Sequence, residues 1–423
     1  MASDNPRLYL ETCLEQAGEK LAGYQCPAEV AEALEDINAY PGLAGLGPPQ
    51  SLRLLSDSPD GQADMGRRAV LEGRVLWEHA AAGEATRMGL GPKFFYLPAQ
   101  LAALAGAEAP DILPVRLGLR HLGQLLLEIR RLADESGFDP DGVLARQTFL
   151  LVGSESSVGR MSSMAARAFA RIVPLRNLLF MGQTFFPGLD RKPGGGWHFD
   201  QASPKKLHNH GHMVMQKIMD EQVFRLDSHG HRVFLSRAEF FSRLAEFENL
   251  ISSNIEDLDY LTRALDLSAL GLASRLGHAG FGMLMEIARN NLDRPVKGGL
   301  CALDPALGRD VVVESFRLRD IQPRDMRFIN RNNNHYPRPA VVMRRLQEEG
   351  LFMPVTVSEN KVYFCPVQGD LNFLVKTAFF TRGETIQINS LKTQGDVRAA
   401  LKAMAAQDAS PDFRSLAPGL VGL

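Results

Sequence analysis

Two periodicities alternate through the middle of the chain. In "RLGLRHLGQLLLEIRRLADES" (116–136) apolar residues recur every three or four positions, which predicts an amphipathic helix. The apolar run "QTFLLVGS" (147–154) follows and reads as a buried strand, then a helix around "SSMAARAFARI" (162–172) and a strand "NLLFM" (177–181). Upstream, "ADMGRRAVLEG" (63–73) reads as a helix, and "RVLWEHAAAG" (74–83) as a short buried strand running into a small-residue loop. Helix alternating with buried strand predicts an α/β core with a mainly parallel sheet covered on both faces. Ligands of such sheets bind beyond the carboxyl ends of the strands, where the 80–83 loop would lie.

The flanks read differently. Residues 6–38 suggest two helices, the second starting at Pro27 with Glu29 in its first turn. "YPGLAGLGPPQ" (40–50) reads as a linker. From about 311, "DVVVESFRL", "KVYFCPV" and "ETIQINSL" suggest strands of a smaller α+β part, and the polar stretch after about 405 an irregular tail. The expected divisions are a helical N-terminal segment (1–64), a core (65–310) and a C-terminal α+β segment (311–423). There is no internal repeat and no hexapeptide period of a β-helix.

Composition narrows the chemistry. A net charge of −2 over 423 residues gives no global attraction to nucleic acid or an anionic membrane, so phosphate chemistry needs a local basic site. The cysteines Cys13, Cys26, Cys301 and Cys365 are scattered without a CxxC pair and read as reduced thiols. The first residues contain Asp, Arg and Glu where a secretion signal would be apolar, and no run of 18 apolar residues occurs, so a cytoplasmic protein is expected.

"HAAAGEATRMGLGPKFF" (79–95) places small residues after a strand, then Arg87 and Lys93. Backbone N–H groups in such a turn approach phosphate oxygens, and the two cations add counter-charge. An ordinary strand–helix connection gives the same pattern. Further segments follow in order: "MGQTFFPGLD" (181–190), "HNHGHMVMQ" (208–216), "SSNIEDLDY" (252–260), "LMEIARNNLDRPVKGG" (284–299), "FINRNNNHY" (328–336) and "LKTQGD" (391–396). Together, over about 65–400, they resemble the UTP–glucose-1-phosphate uridylyltransferase family of UDP-sugar pyrophosphorylases, as a divergent member.

The resemblance implies a GT-A-like, Rossmann-type nucleotidyltransferase core that binds UTP, a sugar 1-phosphate and Mg²⁺. The family's L-x-G-G-x-G-T-R-L-G loop and G-P-K are matched by Gly83, Thr86, Arg87, Gly89, Gly91, Pro92 and Lys93, with Ala82 and Ala85 in place of two glycines. Gln183 matches the residue that reads uracil, and His210-Gly211 the middle of G-H-G-D, while Asn209 and His212 replace its outer residues. Nucleotide contacts are thereby assigned to Ala82, Gly83, Thr86, Gln183, His210 and Gly211. Sugar contacts fall on Glu286, Gly298, Gly299, Asn330 and Asn332. Arg87, Lys93 and Lys392 become the catalytic cations, which hold the triphosphate and the transferring group.

Glu256 stands where the family's N-x-D-N carries its metal-binding aspartate, so Glu256 and Asp257 are the Mg²⁺ candidates. The same residues suit a helix start capped by Asn254. His208, His210 and His212 would share one face of a strand, a spacing usable for a transition metal, although loop histidines beside a phosphate are the simpler reading. His229 and His231 sit in an expected hairpin turn, and Trp197 after a glycine run suggests a flap or a surface turn. The implied reaction is attack of a hexose 1-phosphate, glucose 1-phosphate by default and an N-acetylhexosamine 1-phosphate as the alternative, on the α-phosphate of UTP. The substitutions at Ala82, Ala85, Asn209, His212 and Glu256 also suit a sugar-nucleotide-binding protein that has lost the chemistry.

Overall fold

The computed structural model describes residues 14, 15, 18, 20–41, 45–57, 61–83, 89–107, 111–206, 210–293, 295, 297–383, 391 and 394–423. In chain order its strands begin with β1 (Leu52–Leu54), β2 (Val75–Ala80), β3 (Thr148–Ser154), β4 (Leu178–Gln183), β5 (Leu189–Arg191) and β6 (Trp197–Phe199). There follow β7 (Val223–Leu226), β8 (Arg232–Phe234), β9 (Asn249–Asn254), β10 (Met283–Arg289), β11 (Gly299–Asp304) and β12 (Arg309–Glu314). The last are β13 (Phe328–Pro337), β14 (Val355–Ser358), β15 (Lys361–Phe364) and β16 (Thr377–Thr381).

A large sheet runs β1-β16-β10-β13-β9-β2-β3-β4-β7-β8, and a small one β14-β15-β5-β6. Its centre, β9-β2-β3-β4, is parallel, with Trp77 opposite Phe149 and Ile251, and Glu78 opposite Leu150 and Ser252. A second parallel block, β10-β16-β1, is joined to the first through the antiparallel β13. The β11-β12 hairpin attaches to β13 through Leu300 and Ile329.

Every residue of β2 is buried, and its side chains alternate between two core layers. Val75 and Trp77 enter the layer under the helix Leu117–Glu135, whereas Leu76 and Ala80 enter the layer on the opposite face. The helices expected from periodicity form at Gln62–Leu71, Leu117–Glu135 and Val158–Phe169. Among the described residues no helix is long and apolar enough to cross a membrane. Cys26, Cys301 and Cys365 are free thiols.

Three local readings change. β12, β13 and β16 are strands of the large sheet rather than of a separate C-terminal unit, because their long-range partners β10, β9 and β11 decide where they sit. The expected tail is helical, at Gln394–Asp408 and Pro411–Leu416, with Met404, Phe413 and Leu420 buried in the core. Pro27 does start a helix, but Pro27–Glu32 and Leu34–Asn38 are two short segments separated at Ala33. They are tied to the small sheet by Asn38, whose side chain exchanges two 2.8 Å hydrogen bonds with the Val355 backbone. Residues 384–390 of "ETIQINSL" lie outside the described residues.

Candidate active site

The loops at the carboxyl ends of the parallel strands form one rim. After β2, Ala81 N–H donates to Val152 O at 2.8 Å, and Ala82 is buried without a left-handed backbone. A methyl group in place of a hydrogen therefore fits there. A Cβ on Gly83 would meet nothing within 4 Å, so this turn faces open space. Gly89 and Gly91 do need their glycines, at φ 64° and 75°. Lys93 then returns under the loop, its N–H donating to Gly83 O at 3.4 Å.

Lys93 is 2% exposed, and its ammonium forms an ion pair with the half-buried Glu256 beyond β9. Motifs 163 residues apart thus meet at the ends of adjacent strands. Asn254 Oδ1 accepts from Glu256 N–H at 3.2 Å, which sets the turn that presents the carboxylate. Asp257 points the other way, toward Arg331, so the two acids do not converge on one point. Asp257 also caps the short 3₁₀ turn Leu258–Leu261, in the role expected of Asn254.

Along the rim, Glu155 N–H donates to Gln183 O at 2.9 Å, which joins the turn after β3 to the end of β4. Gln183 is 1% exposed. The helix Gly211–Gln216 starts after the exposed His210. A Cβ on Gly211 would overlap the Pro366 backbone, to whose carbonyl Gly211 N–H donates at 2.9 Å, so this glycine permits two backbones to touch. Beneath the rim, Glu78 of β2 and Lys217 form an almost fully buried ion pair. Ser252 Oγ donates to Glu78 at 2.7 Å, and Gln368 Nε2 donates to Ser252 Oγ at 3.1 Å and to Tyr336 OH at 2.6 Å.

The sugar-side candidates divide between the two faces of β10. On one face, a Cβ on Gly299 would lie 3.0 Å from Glu314 Oε1 and 3.4 Å from Asn330 Cβ. One on Gly369 would lie 3.8 Å from the same oxygen and 3.9 Å from Asn330 Nδ2. Gly299, Glu314, Asn330 and Gly369 therefore form one compact group, and Gly298 O accepts from Ser315 N–H at 3.2 Å beside it. Burial first, then Asp370, drives the Glu314 carboxyl up to about 7, against the pull of Arg317. Asn332 adopts φ 61°, and Asn330 and Asn332 hydrogen-bond each other at 2.9 and 3.1 Å across a bulge in β13.

Glu286 lies on the other face. It accepts from Arg331 at 3.0 Å, Asn333 at 3.1 Å and Arg382 at 2.8 Å. Burial alone would raise its carboxyl, but Arg331 and Arg382 overcome this and hold it below the ordinary value. Arg331 also pairs with Asp257 and Asp259, and Arg382 with Asp266. These groups, with Trp77 and His335, wall a cavity of about 330 Å³. Asp257 is raised, by burial first, with Arg331 opposing.

Arg87, Thr86 and Lys392 lie outside the described residues, as do Ala85, His208 and Asn209. The histidine spacing does not lie on a strand: His212 sits in the Gly211–Gln216 helix, buried against Phe186, its Nε2 3.1 Å from Phe364 O. Among the described residues no three histidine, cysteine or carboxylate side chains gather as a metal cluster. Trp197 is no flap, since it is buried in β6 and donates to Leu21 O at 2.8 Å. Glu314, Gly369, Arg331, Arg382 and the Glu78–Lys217 pair are absent from the sequence-based set. For Glu78 the signal is present, an acid inside the wholly buried strand "VLWEHA"; Lys217 shows none.

No family model and no curated protein sequence matches the chain. Solved structures do. The UDP-N-acetylglucosamine pyrophosphorylase of Trypanosoma brucei superposes with a TM-score of 0.57 at 13% identity, covering 84% of this chain and 72% of its own. A variant of the Leishmania major UDP-glucose pyrophosphorylase gives 0.55 at 17% identity, covering 95% and 81%. The T. brucei protein described as UDP-glucose phosphorylase gives 0.52 at 15%, covering 88% and 73%. The chain has the pyrophosphorylase nucleotidyltransferase fold.

Proposed function

We propose that the protein is a uridylyltransferase that makes a UDP-hexose and pyrophosphate from UTP and a hexose 1-phosphate. The meeting of Lys93 and Glu256 carries this reading, because each was assigned from a separate motif and both stand at the carboxyl end of the central strands. The fold, shared with UDP-sugar pyrophosphorylases, supports it. Glucose 1-phosphate is the default acceptor from the sequence motifs, with N-acetylglucosamine 1-phosphate beside it.

The reaction joins two anions. A phosphate oxygen of the sugar attacks the α-phosphorus of UTP, the bond to the bridging oxygen breaks, and pyrophosphate leaves. That oxygen is already ionised, so no general base is required and the protein's work is orientation and charge neutralisation. Lys93 exchanges the Glu256 carboxylate for phosphate oxygens, and the open turn at Gly83 offers its backbone to the same group. Arg87 and Lys392 take the roles the family resemblance gives them. Glu314, Asn330 and the Gly298-Gly299 backbone offer acceptors and donors to sugar hydroxyls, and the protonated fraction of Glu314 is itself a donor. Glu256 would give Mg²⁺ one carboxylate oxygen, which suits an ion that takes most of its ligands from substrate phosphates and water. When bound, Mg²⁺ supplies further charge neutralisation at the triphosphate.

Pyrophosphate release from UTP and Mg²⁺ with each sugar phosphate tests the proposal, and Lys93→Ala is expected to lower kcat/KM by about 100-fold or more. A second reading, a UDP-sugar-binding protein without turnover, is favoured by one observation: Lys93 already neutralises Glu256. UDP-sugar binding by calorimetry with no pyrophosphate from either acceptor would select it.

A further inference from the structure

We propose that Arg331 is the positioning residue for the sugar side of the cleft, locking the Asn330–Asn332 bulge to the loop that carries Glu256. The inference rests on the uridylyltransferase reading and concerns the one cation in "FINRNNN" (328–334), set between the sugar-side candidates Asn330 and Asn332. β13 accommodates the bulge as two extra residues: Met285 pairs with Asn334, but Ile287 pairs with Asn330. Such a bulge re-aims side chains and needs anchoring. Asn330 is directed at the Gly299–Glu314 group, while Arg331 and Asn333 grip the buried Glu286 on the opposite face.

Arg331 reaches further, to Asp257 and Asp259, with its side chain only 11% exposed. Asp257 directly follows Glu256 in the chain. One guanidinium therefore fixes the distance between the bulge facing the sugar group and the turn presenting Glu256 to Lys93. A fork with five donors spans carboxylates on two elements in a way a lysine ammonium does not. Arg382, directly after β16, braces the same Glu286 but turns to Asp266 rather than to the Asp257 turn, so the side-chain link between the two sides runs through Arg331.

Steady-state kinetics on the full chain test this. Arg331→Met is expected to raise the KM for sugar 1-phosphate about tenfold or more while the KM for UTP rises less, within about threefold, since Lys93 and the Gly83 turn follow β2 and meet the tethered turn only through Glu256. Arg331→Lys is expected not to rescue; full rescue overturns the proposal, as do equal rises in both constants or a lowered melting temperature with both KM values unchanged. Should Arg331→Met not fold, the double change Asp257→Asn, Asp259→Asn releases Arg331 from the loop alone and is expected to raise the same KM about threefold. An unchanged KM there overturns it. If the wild type releases no pyrophosphate, the uridylyltransferase reading fails separately, and UDP-glucose titration decides the inference: Arg331→Met binds about tenfold more weakly, or the proposal falls. A wild type that binds no UDP-glucose overturns both.

Discussion

Glu314 holds a proton that an exposed glutamate would lose. Its ordinary pKa of 4.5 rises to about 7 because burial, and then Asp370, oppose its charge. In the folded chain it binds more proton than in the unfolded chain between these values, so its contribution to stability is complete below about pH 4.5 and is lost as pH rises through 7. His79 and His335 act in the opposite sense. Burial lowers both from 6.5 to about 4, so their contribution is present above 6.5 and is lost as pH falls toward 4. Glu314→Gln removes only the first effect. Its melting temperature relative to wild type is expected to be near zero at pH 5 and about 2 °C or more higher at pH 8, read by scanning calorimetry. A difference independent of pH would remove Glu314 from its half-buried place beside Gly299.

At the scale of elements, β2 carries the loop after Ala80 into the rim and also a charge in its middle. Its boundaries were legible because a wholly buried strand reads as a short apolar run, and the helix Leu117–Glu135 because its apolar stripe keeps the helical period. The partner of Glu78 was not legible. Lys217 follows a six-residue helix, and only the packing of that helix over the sheet brings the ammonium to β2. The same limit hid the division of the sugar-side residues, because neighbouring positions on a strand face opposite ways and Met285 and Glu286 serve different groups. Lys217→Met strands a buried carboxylate and is expected to cost about 3–5 kcal/mol in urea unfolding, whereas Glu78→Leu with Lys217→Met should recover most of that loss. A neutral single change would mean that the pair is solvated.

Over the whole molecule, the fold is shared with structures at 13–17% identity, so it is held by pattern and burial more than by particular side chains. The last thirty residues illustrate what local pattern misses. Pro411, Pro418, Gly419 and Gly422 punctuate them as a loop would, yet Phe413 and Leu420 are buried against the helix Leu117–Glu135. Gly123 makes the room: a Cβ there would lie 3.1 Å from Leu416, 3.4 Å from Phe413 and 3.5 Å from Leu420. Arg120, one helical turn earlier, binds both Asp408 oxygens at 2.7 and 3.0 Å and stands 5.3 Å from the Phe413 ring. Contacts between residues nearly 300 positions apart complete the core under β2 and β3. An irregular tail would tolerate Phe413→Ala within about 0.5 kcal/mol. A ring at 0% exposure, packed on a helix that itself covers the central strands, is expected to cost about 3–5 kcal/mol by urea unfolding, with the loss shared by the whole domain in one transition. A separate early transition for the C-terminal helices, with the main unfolding midpoint unchanged, would show instead that they only rest on a core complete without them.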